Sequence, residues 1–130
     1  MAQLFSLGHM SAQQIIDESR PMLIEFLGDI GLHTLEHPDL VALLEPFSHW
    51  IETQDVRSGD MAFFAALIGA FICEFLIEYH SAIRVVRDER IFLQIPVQKG
   101  ILSEFDPYAV AADLAQRRGS VALFLRKLTS

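Results

Sequence analysis

Glu74 and Glu78 stand one helical turn apart in the run Met61 to Tyr79, MAFFAALIGAFICEFLIEY. Carboxylates four residues apart share a helix face. Such a pair carries acid–base chemistry when burial drives its two pKa values apart. The neighbouring residues argue for a different task. A charge on an otherwise apolar helix needs a partner, and Arg84, Arg87 and Arg90 follow closely in the chain. An unpaired buried charge costs several kcal/mol. Glu74 and Arg84 are therefore assigned as a structural polar anchor, with Glu74 at least partly buried.

Two further groupings invite a chemical reading. His33-Thr34-Leu35-Glu36-His37 matches H-x-x-E-H, in which two histidines bind zinc and the glutamate acts as base. That chemistry needs a regular helix through both histidines. Gly31 precedes the motif and Pro38 follows it, and the residue before a proline is pushed out of the helical region. The segment reads as an interhelical turn. Cys73, the single cysteine, lies in a very apolar helix. A nucleophilic thiol needs access and a lowered pKa, so Cys73 reads as a buried structural side chain. His9, His49 and His80 stand alone. No phosphate loop and no Ser-His-Asp spacing occurs, so the expectation is no catalytic residue, no metal and no cofactor.

The elements that position these residues follow from periodicity. Ser11 with Gln14 forms a capping box ahead of an apolar helical pattern from Ile15 to Ile30. Pro21 either kinks that helix or lies in the first turn of a second one begun by Ser19. Pro38 opens the next helix at a first-turn position, with Asp39 beside it and Pro46 bending it. Ser58 or Asp60 caps the central helix, Met61 to Tyr79. Ile83, Val85, Ile91, Leu93 and Ile95 alternate with polar or outward positions and predict a two-stranded hairpin over 83–95. Pro96 should end the second strand or sit on an edge. Asp106-Pro107 starts a helix ending near Gly119, and Ser120 caps a final short one. The expected fold is α+β and mostly helical, a single domain over 1–130 with a buried central helix.

The chain has 130 residues, 52% hydrophobic and 21% charged, which suits one folded domain. It carries 17 acidic and 10 basic residues, a formal net charge of −7. That balance opposes sequence-independent nucleic-acid binding, which relies on Lys and Arg. It allows a basic protein partner, because complementary charge directs encounter, although a modest acidic balance is also what a soluble protein commonly carries. The start, MAQLFSLGHMS, lacks the basic and apolar regions of a signal peptide. One cysteine allows no internal disulfide, consistent with a reducing, cytoplasmic setting. The uncharged part of the central run is too short to span a bilayer, so no membrane is expected.

A longer pattern begins at Ala65: AALIGAFICEFLIEYHSAIRVVRDERIFLQIPVQKG, then FDPYAVAADLAQRRGSVALFLRKL. A helix with G-x-x-x-x-E, a hairpin, an Asp-Pro-started helix and a Gly-Ser-started short helix resembles several small bacterial families. A number of these are immunity proteins of polymorphic or type VI secretion toxins. The resemblance covers about half the chain, with Gly69 and Glu74 in the signature positions. Cys73 replaces the second small residue, glycine in those families. Ile83 or Val85 stands where a tryptophan is often found in the first strand. The resemblance implies a non-enzymatic cytoplasmic protein that binds and blocks a cognate toxin.

On that reading the partner-binding residues are exposed acids and one aromatic: Glu36, Asp39, Glu45, Trp50, Glu52 and Asp55. Two other classes compete. One is a small enzyme or ligand-binding domain with a pocket around Glu74, Glu78 and Arg84. The other is a structural homo-oligomer, whose interface would hide the apolar surface implied by a mean hydropathy of +0.32.

Overall fold

A computed structural model describes residues 11–32, 38–54, 60–98, 100–117 and 119–129. In chain order these form α1 (Ala12–Asp29), α2 (Leu40–Glu52), α3 (Met61–His80), β1 (Ile83–Arg87), β2 (Arg90–Gln98), β3 (Ile101–Phe105), α4 (Pro107–Arg117) and α5 (Val121–Thr129). The fold is α+β and mostly helical, with α3 contacting α1, α4 and α5.

Every residue of α3 from Phe64 to Leu76 is buried. By length and composition α3 is apolar enough to cross a membrane, yet most of its apolar window is covered by the rest of the protein. An all-round apolar helix demands such enclosure. Phe47 of α2 stacks on Phe71 at 4.3 Å between centroids. Helix α3 ends where Ser81 takes a left-handed conformation (φ 57°). The Ser81 and Ala82 N–H groups then both donate to the Leu76 carbonyl.

The capping signals act largely as expected. Ser11 and Gln14 form the full capping box on α1. Helix α1 runs unbroken through Pro21, so Ser19 is not a start signal but a buried side chain. Helix α2 likewise continues through Pro46. Its N-cap is Asp39, accepting from the Val41 and Ala42 amides, which leaves Pro38 outside the helix, one residue before the cap. Asp60 sits at the α3 cap position without a side-chain cap bond. Asp106 caps α4 through the Tyr108 and Ala109 amides. Ser120 caps α5 through the Leu123 amide, while buried Ser48 of α2 accepts from the Ala122 amide.

The sheet is larger than a hairpin. Three antiparallel strands lie in the order β1-β2-β3. Strand β3 carries few sequence signals and pairs Leu93 with Phe105 and Ile95 with Ser103. Asp88 and Glu89 form the two-residue turn between β1 and β2, both with positive φ (50° and 61°). Right-handed strand twist selects that turn geometry even without glycine. Pro96 does not end its strand; it lies inside β2 beside the register irregularity between Pro96 and Gln98. Alternation explains why it is tolerated. Arg90, Phe92 and Gln94 bond toward β1, whose pairing stops at Ile83↔Gln94. The donor that Pro96 lacks would point past the end of β1, so no ladder bond is lost.

Candidate functional site

Glu74 is the one carboxylate in the described core, 6% exposed. Two elements supply its partners. From α1, the Ser19 hydroxyl donates to Oε2 at 3.1 Å and Arg20 Nη1 to Oε1 at 3.5 Å. From β1, Arg84 Nη2 closes a short ion pair on Oε2. Arg20 also reaches Glu78 at 3.5 Å, so Glu78, half exposed, ties the cluster to the surface. No buried side-chain N or O among the described residues is left without a partner.

Tyr108 of α4 completes the cluster. Its ring lies against Gly69, where a Cβ would meet Tyr108 Cδ1 at 2.4 Å. Only glycine lets α3 and α4 approach this closely. Burial, with the neighbouring Cys73 thiol, pushes the Tyr108 phenol far above its ordinary value. Burial likewise pushes the Cys73 thiol up to about 12, the Arg84 charge opposing only in part. A thiol held protonated in this way is not a nucleophile. Gly69 and Glu74 thus act together: one admits the Tyr108 ring, the other anchors Ser19, Arg20 and Arg84 on the same helix. Neither Ser19 nor Tyr108 was singled out for this role from sequence. A buried hydroxyl beside a buried carboxylate leaves no local pattern.

Of the expected partner-binding residues, Asp39, Glu45, Trp50 and Glu52 are described, and each makes contacts within the protein. Glu36 and Asp55, and the H-x-x-E-H segment, lie outside the described residues. Asp39 Oδ1 caps α2 and also accepts from Tyr79 Oη at 2.9 Å. Glu45 pairs with Arg126 of α5. Glu52 accepts from Ser48 at 3.2 Å. Trp50 is half-buried, edge-on to Phe26 at 5.3 Å and near Phe64 at 6.1 Å, so its ring belongs to the α1–α2–α3 packing.

A further set of exposed acids lies on α1. Six described arginines have acidic partners: Arg20 and Arg84 on Glu74, Arg87 on Glu104, Arg90 on Asp106, Arg117 on Asp113, and Arg126 on Glu45. Asp17, Glu18, Glu25 and Asp29 are all exposed on α1, and no ion pair among the described residues neutralises them. At 100° per residue they fall within about a third of the helix circumference. The Gln13 amide donates to Asp17 Oδ1 at 2.8 Å.

A cavity of about 160 Å³ opens between α1, the β1–β2 turn and α4, lined by Ile15, Glu89, Arg90, Ile91, Asp106 and Tyr108. Its polar groups are already engaged. Glu89 accepts from the Ala12 amide at the start of α1, and Arg90 pairs with Asp106 at 2.8 Å. No group of three or more metal-ligating side chains occurs among the described residues.

Compared with known proteins, the chain matches no family model, no curated protein and no solved structure.

Proposed function

We propose that this protein acts by stoichiometric binding, as a cytoplasmic immunity protein that neutralises a cognate bacterial toxin. One observation carries the reading: the exposed acidic face of α1, built from Asp17, Glu18, Glu25 and Asp29, which no ion pair among the described residues neutralises, on a protein whose described arginines are tied to its own acids. Such a face suits a basic partner. The resemblance of the α3–hairpin–α4–α5 segment to small immunity proteins points to the same class. Glu74, the best candidate for acid–base chemistry, is already held by Ser19, Arg20 and Arg84, which supports an anchoring role over turnover.

The direct test is co-expression with a neighbouring effector gene. Cells should survive only when this protein is present, and the purified pair should form a complex. Association should slow as salt rises, since exposed charges are screened beyond about 8 Å at physiological ionic strength. Paired Glu18→Lys and Glu25→Lys substitutions should weaken protection while leaving the thermal melt unchanged. Equal killing with and without the protein, and no complex in vitro, would sink the proposal.

A further inference from the structure

Among the described residues, β1 is an edge of the sheet, with no strand on the side away from β2. The two-residue turn makes Arg87↔Arg90 a hydrogen-bonded pair. Alternation does the same for Val85↔Phe92 and Ile83↔Gln94. The main-chain groups of Arg84 and Val86 therefore point away from β2, toward the open edge. Ile83 and Val86 are also among the most exposed large hydrophobics, at 56% and 46%. A regular strand with open main-chain groups and exposed aliphatics is a template for another strand. The opposite edge, β3, is paired across the irregularity at Pro96 and Gln98, and such irregularities twist a strand away from regular pairing.

We infer that the β1 edge pairs antiparallel with β1 of a second copy, about a two-fold axis through Val85. One register satisfies every constraint. Arg84 then faces Val86 of the other copy in a hydrogen-bonded pair, which uses the free main-chain groups on both sides. Val85 faces its own symmetry mate in the closer, non-hydrogen-bonded pair, where β-branched side chains pack well. Ile83 faces Arg87, whose aliphatic stem covers it while the guanidinium stays on Glu104. No arginine stands directly opposite an arginine, the arrangement in which like charges destabilise most. Arg84 keeps its bond to Glu74, which links the dimer edge to the buried cluster. The two three-stranded sheets become one of six. A five-residue edge buries less than the roughly 1,200 Å² of a stable interface, so the dimer depends on concentration. This inference is independent of toxin binding.

Sedimentation velocity of the full chain, from about 10 μM to about 1 mM, tests it. The mass should rise from one chain toward two. Over the same range hydrogen exchange should slow at the Arg84 and Val86 amides and stay constant at Val85 and Arg87. Val86→Pro removes a donor used only by the dimer and keeps the ladder to β2. Val86→Lys places a charge opposite Arg84 of the other copy, and serves if the proline variant fails to fold. Both should stay monomeric across the range. A single-chain mass at every concentration, or a dimer that persists in both variants, would overturn the inference.

Discussion

Gly69 and Tyr108 occupy one volume: a methyl group at Gly69 would sit 2.4 Å from Cδ1 and 2.6 Å from Cε1 of the Tyr108 ring. The usual sign of a glycine substitution is thereby reversed. In a helix interior, Gly→Ala normally stabilises by about 0.5–1 kcal/mol. Here the ring must move and α3 and α4 must separate, as in overpacked cores, which cost about 1–3 kcal/mol. Gly69→Ala should lower the denaturation midpoint. Adding Tyr108→Leu should recover part of the loss, so that a double-mutant cycle shows strong coupling. Additive effects would mean that the ring does not limit the helix approach.

Glu74→Ala removes the acceptor shared by Ser19, Arg20 and Arg84. Breaking a buried pair by deleting one partner costs about 3–5 kcal/mol, because the other charge is stranded. Arg84 is partly exposed, so a loss toward the lower end is expected. Urea unfolding should show a lower midpoint with an unchanged slope. A midpoint equal to wild type would remove the anchor role.

Cys73 is fully buried, and burial raises its thiol to about 12. At pH 8 the native protein should react with a thiol reagent only through opening of the core. Labelling should be slow in buffer and complete within the mixing time in denaturant. Fast native labelling would contradict the enclosure of α3.

Glu104 lies on the sheet's outer face, where Arg87 binds both its oxygens at 2.5 and 2.6 Å and Gln94 adds a third bond at 2.9 Å. The Arg87 guanidinium first, and Gln94 second, hold the carboxyl down to about 2, from 4.5. A depressed folded-state pKa contributes stability that is present above the unfolded value and lost as pH falls toward the folded one. The contribution of this pair should therefore fade between pH 4.5 and about 2. A carboxyl titration followed by NMR should place Glu104 near the low value, and Arg87→Gln should move it up toward 4.5. An unchanged midpoint in that variant would show that the pair does not form in solution.

Local chemistry made much of this fold legible in the sequence. The Ser11–Gln14 capping box, the Asp106-Pro107 start and the Ser120 cap act on residues within one turn, so their spacing alone places helix ends. The all-apolar run of α3 and the alternation through β1 and β2 mark which faces must be hidden, because burial is read residue by residue. Strand β3 was not legible. Its segment Ile101-Leu102-Ser103-Glu104-Phe105 follows Gly100 and becomes a strand because β2 offers it unpaired main-chain groups. The site divides the same way. Glu74 on an apolar helix announces the need for a partner, and nearby Arg84 answers it. Ser19, which looks like a helix start, and Tyr108, which looks like an ordinary amphipathic position, join Glu74 and Gly69 only where α1 and α4 close against α3. The same holds for the surface. Net charge follows from composition, whereas its exposure on α1 depends on which arginines the folded chain brings to which acids.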